Sequence, residues 1–435
     1  MSANATVNQV VLIGDQAAAD TPVTPDMQFS GLNVDFDEQL ETNFYRPAGS
    51  KVNKMGVLND VSSKGTFNGV HSYREAIWPF ESYVGSGGGP DTLAGGGKKW
   101  RYKPSLGDVD PYVLFTIQKG SKQRGRQVND ILFNSIQIAL SRKGVNISGN
   151  ILGKGVTPGV TMNLERNEVQ SLAKTGTPTA GTFTLTYSGQ TTSAIAYNAS
   201  AATIKAALEA LSNIAVGDVS VSGGPLPNTA VVITFKGALG NTNVGAITVD
   251  STSVTGGTFA ITTTTQGNAG ATEIAPMPIA GKQVSLFLDD AYGDIGTTQL
   301  TDNFSCQINL PDKYRPKSVM NRDLDSYKEP VEQPMEPTCV LTMEANSFSD
   351  ALYAAAKAGD LPTQYLRIDA EGIVIGGGVT DPFQWVFDVP LKLQGATENG
   401  DSDGVDSYTF TFQIVEDDDM GSFFDTYFVN DIASL

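Results

Sequence analysis

The feature that most constrains the fold of this chain is a period of two in its apolar residues. In residues 407–416 (SYTFTFQIVE), Tyr408, Phe410, Phe412 and Ile414 alternate strictly with polar side chains. Successive side chains of a β-strand point to opposite faces, so this alternation predicts a strand buried on one face. Other strand-like segments are 51–59, 64–70, 112–120, 133–144, 283–290, 303–311, 339–346, 365–372 and 383–395. Since the chain also has 46 Gly and 21 Pro for turns, we expect a mainly β fold.

A nearly uncharged block, residues 180–267, interrupts this pattern. It carries only 3 acidic and 2 basic residues, and turn-rich linkers flank it at 175–181 (TGTPTAG) and 267–272 (GNAGAT). Its strands alternate apolar residues with Thr, and Ser200 is the predicted N-cap of a helix. The apolar face of that helix comprises Ala201, Ile204, Leu208 and Leu211. Because only the block's own strands can cover this face, we expect a small inserted α+β domain of roughly 90 residues.

The region before the insertion, residues 1–179, contains one predicted helix between strands. Ser72 and Glu75 have the spacing of a capping box, which predicts a short helix containing Ala76 and Ile77. Pro79 is expected to limit or kink this helix, because proline has no amide hydrogen to donate.

The region after the insertion, residues 268–435, has the same order of elements. Ser347 and Asp350 repeat the capping spacing. The expected helix contains Phe348, Leu352 and Ala355 and ends at Gly359. Strands, one helix and further strands therefore occur twice. This order suggests a duplicated β-rich unit, although the pattern alone leaves a single unit open.

The formal net charge of −18 is distributed unevenly along the chain. Residues 1–179 carry a net charge of +2, residues 180–267 of −1 and residues 268–435 of −19. Such asymmetry bears on partners and not on the fold. The acidic region is expected to repel nucleic acid.

The sequence shows no recognisable targeting signal or cysteine motif. No run of about 18 apolar residues is present, so no membrane span is expected. The N-terminal segment has no basic residues ahead of its apolar stretch, so no signal peptide is expected. We therefore expect a protein made in a cytoplasm that does not leave by secretion. Cys306 and Cys339 form no CxxC motif and are expected to be buried thiols.

The candidate chemical sites have too few suitable residues or the wrong spacing between them. His71 is the one histidine and is expected to be structural or exposed. The glycine run at 86–100 departs from a phosphate loop, because Thr92 stands where its first glycine belongs and Lys99 follows Lys98. We interpret this run as a flexible surface loop.

Two charged features are also weak candidates. Residues 399–406 (NGDSDGVD) lack the glutamate that closes an EF-hand and are expected to form a hairpin turn, with casual cation binding as the alternative. The basic stretches 98–103 and 119–126 are expected to be solvated loops or partners for acidic segments such as 416–419 in another subunit, with nucleic-acid binding as the alternative. No catalytic, cofactor-binding or metal-binding residue is predicted, no cofactor is expected, and the chain is not expected to be an enzyme.

Three segments resemble the tail tube (major tail) proteins of long-tailed, non-contractile bacteriophages. Residues 35–85 have an acidic lead-in, then YRPAGSKV, paired strands and a short aromatic-rich helix. Residues 284–316 (VSLFLDD, then GTTQLTDNFSCQINLPDKYRP) resemble the second portion of such proteins in phages of actinobacteria. Residues 409–435 are similar to their C-terminal strand and arm.

The inserted block resembles a different family. Residues 182–214 and 218–240 (DVSVSGGPLPNTAVVITFKGALG) are similar to a mobile module of phage tail proteins and large bacterial surface proteins. This resemblance implies a guest domain that projects from the exterior wall of a tube.

Together these resemblances imply a structural virion protein. The implied fold consists of tail-tube-type β-sandwich or barrel units, two per chain, each with a flanking helix, at 1–179 and 268–435, plus the inserted domain at 180–267. The implied partners are other copies of the chain in stacked rings, either trimeric and pseudo-sixfold or hexameric, with a preference for three. Tape measure and tail terminator proteins are further implied partners, and no membrane partner is implied.

The resemblance also implies a location and a role for charge. Such a protein is assembled in the host cytoplasm and resides in the virion tail, where viral DNA passes the lumen without specific binding. The acidic excess suits a channel through which DNA slides, so an acidic lumen is expected. The main alternative is an adhesin-like protein that binds a surface through the inserted domain.

Overall fold

The computed structural model describes residues 9–85, 89–122, 124–320, 324–359, 362–402 and 404–435. The chain forms two compact units. The core unit combines Met1–Met162 with Glu273–Leu435, and the inserted unit is Asn163–Thr272. Strands dominate over helices, so the predicted mainly β class is confirmed.

The elements of the core unit before the insertion are β1 (Val10–Gln16), β2 (Met27–Phe29), β3 (Leu32–Tyr45), β4 (Met55–Val70), α1 (Ile77–Tyr83), β5 (Asp91–Thr92), β6 (Lys98–Tyr102), β7 (Leu114–Gly120), β8 (Gly125–Phe133), β9 (Ile136–Ser141), β10 (Gly144–Gly153) and β11 (Val156–Val160). The inserted unit contains β12 (Val169–Tyr187), β13 (Gln190–Thr191), β14 (Ile195–Ala196), α2 (Ala201–Glu209), β15 (Val219–Gly223), β16 (Val231–Phe235), β17 (Thr248–Asp250) and β18 (Val254–Thr265).

The chain then returns to the core unit. Its elements there are β19 (Thr272–Ile274), β20 (Val284–Asp289), β21 (Gln299–Leu300), β22 (Asn303–Leu310), β23 (Tyr314–Lys317), β24 (Glu329–Glu332), β25 (Thr338–Glu344), α3 (Ser347–Ala358), β26 (Thr363–Gly376), β27 (Val379–Ser402), β28 (Val405–Ile414) and β29 (Asp425–Asn430). Each strand-like segment identified in the two flanking regions of the sequence contains or overlaps one of these strands.

Eight strands of the core unit form one continuous antiparallel sheet, called the joint sheet below. Its order is β3–β4–β10–β9–β22–β25–β28–β27. The first four strands precede the insertion and the last four follow it. They meet where β9 pairs with β22, which places Ile138 opposite Ile308. The two flanking regions, predicted as separate units, therefore share one sheet.

The strand pairings of the first half recur in the second half. β3 pairs with β4, β4 with β10 and β10 with β9, just as β22 pairs with β25, β25 with β28 and β28 with β27. A cover sheet accompanies each half, β1–β7–β8–β11 in the first and β20–β26–β27–β29 in the second. Helix α1 follows β4, and α3 follows β25. This repeated order is the arrangement that duplication predicts.

The halves differ at one corner. β27 is a single long strand that pairs with β26 in the cover sheet and then with β28 in the joint sheet, with an irregularity between Leu393 and Gly395. Its counterpart in the first half is split into β8 and β9 at Asn134 and Ser135. A strand that serves both sheets turns the corner of a sandwich through such a bulge.

One hydrophobic core fills the core unit, and both halves contribute to it. Phe80 of α1, for example, lies 5.5 Å from Phe428 and 6.2 Å from Phe387, measured between ring centroids. The side chains of Trp78, Trp100 and Trp385 are also buried in this core. Because the apolar surface is shared, the halves cannot separate without exposing it to water, and they form one unit.

Both predicted helices of the core unit exist, but their caps differ from the predictions. Helix α1 begins at Ile77 without a side-chain cap, and it continues through Pro79, which lies in the first turn where proline is tolerated. The Glu75 carboxylate instead accepts hydrogen bonds from the amides of Ser30 and Gly31, both 2.8 Å away. The Ser72 hydroxyl accepts a hydrogen bond of 3.5 Å from the Glu75 amide, so the predicted capping box is half formed, and Pro79 does not end the helix.

In the second half, Asn346 caps helix α3 one residue before the predicted position. Its side chain accepts hydrogen bonds from the amides of Phe348 and Ser349. The predicted end is confirmed, since Gly359 adopts a left-handed conformation with φ of 76°.

The inserted unit contains the predicted helix but begins earlier than residue 180. Ser200 accepts a hydrogen bond from the amide of Thr203 and caps α2, and Ile204 and Leu208 are fully buried. The predicted linker at 175–181 lies within β12, which pairs with β18 from Val169 to Gly181. The glycines there form a bulge in a strand and not a turn, so this strand belongs to the unit.

Candidate assembly interface

The joint sheet has an unpaired edge at each end. β3 pairs only with β4 among the described strands. At the other end, residues 393–402 of β27 pair with β28 on one side, and no described strand pairs with their other side. Unpaired edges expose rows of backbone donors and acceptors, which favour pairing with another chain.

The internal contact between the halves joins the counterparts of the two open edges. In the repeat, β3 corresponds to β22, and the last part of β27 corresponds to β9. Because β22 and β9 pair within one chain, the same contact between two chains would join β3 of one copy to β27 of the next. Each copy then offers two different edges, which is the condition for a head-to-tail assembly.

Two basic side chains from the cover sheet lie at the β3 edge. Lys119 forms an ion pair with Asp35 and donates to Asn33 over 3.1 Å, and Arg126 lies 3.6 Å from Asp37. The hydrogen bond from Lys119 lowers the pKa of Asp35 below its usual value. Charged groups at an exposed edge disfavour unspecific pairing of that edge, so these residues protect β3 in the monomer.

A long hairpin carries an exposed apolar surface. We call residues 38–62, the outer part of the β3–β4 hairpin, the first arm. Seven of its large apolar side chains are between 48% and 68% exposed: Leu40, Phe44, Tyr45, Val52, Met55, Val57 and Leu58. They lie on both faces of the hairpin. Thr42 is opposite Leu58 and Asn43 is opposite Val57, and neighbouring residues of a strand such as Val57 and Leu58 point to opposite faces. Exposed apolar side chains clustered in one hairpin are typical of a surface that a partner covers.

The second half has a shorter counterpart. The second arm, residues 314–332, contains the β23–β24 hairpin and connects β22 to β25, as the first arm connects β3 to β4. The two arms touch, because the amide of Val61 donates to the carbonyl of Asp325 over 2.9 Å. The connection from β22 to β25 therefore contains two strands of its own, and residues 321–323 within it lie outside the described part.

A buried ion pair holds the base of the second arm. The ammonium of Lys313 contacts the carboxylate of Asp110 and donates to the carbonyl of Tyr83 over 2.9 Å. Glu332, at the other end of the arm, lies 3.6 Å from the same ammonium. The arm is therefore fixed to the end of helix α1 at its base.

The histidine is structural. His71 is fully buried with its ring 4.3 Å from Trp385 and 5.8 Å from Phe428, measured between centroids. Burial among these rings lowers the pKa of His71 to about 3, so the imidazole is neutral. Neither ring nitrogen has a hydrogen-bond partner among the described residues.

The cysteines are buried and free, as predicted. Cys306 on β22 and Cys339 on β25 have sulfur atoms 4.0 Å apart. The contact between the thiols and their burial raise the pKa of Cys339 well above its usual value, which keeps it a neutral thiol.

The glycine run is an ordered hairpin and not a flexible loop, as far as it is described. Residues 86–88 lie outside the described part, and β5 and β6 then pair through a tight turn at Leu93–Gly97. The amide of Gly97 donates to the Asp381 carboxylate over 2.8 Å. A carboxylate at this turn opposes phosphate binding, because it repels a second anion.

The basic stretches are also parts of strands. Arg101 on β6 forms an ion pair with Asp425, and the ammonium of Lys99 lies 3.8 Å from the ring centroid of Tyr427. In 119–126, apart from Gln123, which is not described, Lys119 and Arg126 contact the carboxylates of β3. The prediction of solvated loops is therefore wrong for the parts of these stretches that lie in β6, β7 and β8, whereas Lys122 and Arg124 are exposed in the connection between β7 and β8.

The acidic sequence at 399–406 forms the predicted hairpin. Ser402 pairs with Val405, and Asp403 between them is not described. Within the described ranges, no group of three or more His, Cys, Asp or Glu residues could hold a metal ion. None of the helices in those ranges has the length and apolar character that a bilayer span requires.

No protein-family model matches the chain, and no curated protein matches it. The two open edges and the arms are therefore the features on which a functional argument can be based.

Proposed function

We propose that this protein is a tail tube protein of a long-tailed bacteriophage, whose copies assemble into closed, stacked rings that enclose a conduit for DNA. In that role it belongs to the virion, is assembled in the host cytoplasm, and contacts other tail proteins such as tape measure and terminator proteins. The observation that carries the proposal is the joint sheet, which repeats a four-strand pattern twice and has complementary open edges.

The number of strands sets the width of the bore that a ring of three copies would have. Neighbouring strands lie about 4.8 Å apart, so three copies of the eight-stranded joint sheet give a barrel of about 24 strands and about 37 Å across. Six copies would give roughly twice that width, and strand tilt widens either barrel further. Three chains with two repeats each also form a pseudo-sixfold ring. The contact between halves then alternates with the contact between copies around that ring.

The arms supply contacts between rings. The exposed apolar side chains of the first arm need a partner surface, and the open sheet edges already serve the contacts within a ring. A neighbouring ring can cover the arms on assembly, which removes apolar surface from water. The inserted unit is proposed to project from the tube exterior.

Disulfide trapping tests the ring contact. In the internal contact, Asn309 lies opposite Gln137. Carrying the strand pairings across the repeat places Asp37 of one copy opposite Thr397 of the next. The double variant Asp37→Cys with Thr397→Cys is therefore expected to give covalent trimers after mild oxidation. The matched control is Asp37→Cys with Thr409→Cys, since Thr409 lies opposite Thr397 one strand further in.

Electron microscopy and native mass spectrometry complete the test. Rings or tubes with a central bore and a repeat of three chains support the proposal. Monodisperse monomers at high concentration, with neither trapped trimers nor rings, would refute it and leave a surface-binding role for the inserted unit as the better explanation. Deletion of 163–272 should leave tube assembly intact and give a smoother exterior.

A further inference from the structure

The solvent-facing side of the joint sheet is almost free of charge at its centre, while its outer strands carry Asp35 and Asp37 on β3, Lys64 on β4 and Lys392 on β27. Five neighbouring strands of the sheet contain no Lys or Arg: β10, β9, β22, β25 and β28. Their only carboxylates, Glu344 and Asp406, lie at the ends of strands. By contrast, 17% of the whole chain is charged, with a net charge of −18. The low charge of this face therefore does not reflect the composition of the protein.

Amide and hydroxyl side chains cover this face instead. We call it the amide–hydroxyl face, and its residues are Asn33, Asn68, Gln137, Asn146, Ser148, Ser305, Gln307, Asn309, Thr338, Thr342, Thr397, Asn399, Thr409, Thr411 and Gln413. Several bond to one another across strands. Thr342 and Thr409 share a hydrogen bond of 3.1 Å, and Asn399 donates to Thr409 over 2.7 Å.

Both repeats contribute in the same rows. One row runs Asn68, Ser148, Gln137, Asn309, Thr338 and Gln413 across both halves. The opposite face of the same strands carries the buried apolar residues of the core, such as Ile138, Ile308 and Phe410. When the sheet closes into a barrel, the core and the cover sheets must lie outside it, so the amide–hydroxyl face lies inside.

We infer that this amide–hydroxyl face forms the central part of each copy's share of the conduit wall, between the charged outer strands, and that duplex DNA passes it without the electrostatic attraction or repulsion that a charged wall would exert. The inference rests on the proposed function and differs from the acidic lumen that the net charge suggested. Arginine or lysine on the wall would bind phosphates in a salt-dependent manner, and carboxylates would repel them. Neutral donors and acceptors form short-range hydrogen bonds with DNA and water, and these contacts exchange as the DNA moves.

The location of the face is tested by labelling assembled tubes. Gln307 lies at the centre of the face on β22, while Thr157 is exposed on the cover-sheet strand β11. Tubes of the Gln307→Cys variant are biotinylated with a small maleimide and then exposed to streptavidin, which is too large to enter the bore. Streptavidin is expected to bind tubes of Thr157→Cys and not those of Gln307→Cys. Binding to both variants would overturn the inference.

The charge of the wall is tested by the retention of nuclease-resistant DNA in tubes assembled with linear duplex DNA. Wild-type tubes are expected to retain little DNA at any salt concentration. The Gln307→Lys variant should retain at least tenfold more at low salt and lose it at high salt, whereas Gln307→Glu and the exterior control Thr157→Lys should not. Salt-dependent retention by wild-type tubes, or no effect of Gln307→Lys, would contradict the inference. If no variant forms tubes, the proposed function fails as well.

Discussion

Replacement of His71 by Phe is expected to remove a pH dependence of stability that the buried imidazole imposes. His71 is fully buried against Trp385 and Phe428, and its pKa in the folded protein is about 3. In the unfolded chain the pKa returns to its ordinary value of about 6.5. Between pH of about 3 and about 6.5, the unfolded state therefore binds a proton at His71 that the folded state does not bind.

The sign and the size of the effect follow from this difference. A depressed histidine pKa leaves stability fully present above pH of about 6.5, and stability falls as the pH drops toward 3. At pH 5, the imidazole should reduce the free energy of unfolding by about 2 kcal/mol relative to neutral pH. Other groups, such as Asp388 with its pKa raised by burial, contribute equally to both proteins and cancel in the comparison.

Urea unfolding measured by tryptophan fluorescence provides the assay. The three tryptophans of the chain, Trp78, Trp100 and Trp385, all lie in the core unit, so the signal reports that unit alone. At neutral pH, the aromatic replacement should change stability by less than about 3 kcal/mol, because the phenyl ring is one ring atom larger than the imidazole and the packed site must accommodate it. At pH 5, the variant should exceed the wild type by about 2 kcal/mol more than it does at neutral pH. An unchanged difference between the two proteins at both pH values would refute the reasoning.

Three further predictions concern other parts of the molecule. Ile204→Ala should destabilise the inserted unit by about 2–5 kcal/mol, because Ile204 is fully buried; calorimetry should show the change while the tryptophan transition stays in place. Lys313→Met should lower the free energy of unfolding of the core unit by about 3–5 kcal/mol by leaving Asp110 buried without its cation, and an unchanged urea midpoint would contradict this. Phe44→Ser, at an exposed position of the first arm, should change that free energy by less than about 0.5 kcal/mol yet abolish stacking of rings into tubes in electron micrographs.

Local features were predictable where one short segment determines the outcome. The Ser200 cap and the face of Ile204 and Leu208 follow from helix periodicity, because each depends on residues within one or two turns. The alternation of Tyr408, Phe410 and Phe412 likewise fixed which side of β28 is buried. Such patterns require no knowledge of what the segment packs against.

Features that depend on distant residues were not predictable from these patterns. Glu75 has the spacing of a capping box, but its carboxylate binds the amides of Ser30 and Gly31, which approach it only in the folded core unit. The composition of the basic stretches predicts solvated loops, but the pairing of β6 with β29 brings Arg101 beside Asp425. Sequence spacing gives local geometry, whereas strand order in a sheet is set by contacts between residues that are far apart in the chain.

The strand order of the joint sheet also depends on contacts between distant residues. These contacts determine how strongly the copies of a ring would bind one another. The internal contact places Ile308 opposite Ile138 and Leu310 opposite Ile136. In the proposed ring, the corresponding pairs between copies are Phe36 with Glu398 and Glu38 with Ala396, which bury less apolar surface. The contact between copies is therefore the weaker of the two. A ring with weak contacts between its copies needs further contacts to persist, and the exposed apolar arms can provide them between rings. Assembly should accordingly be cooperative, with rings stabilised by stacking into tubes.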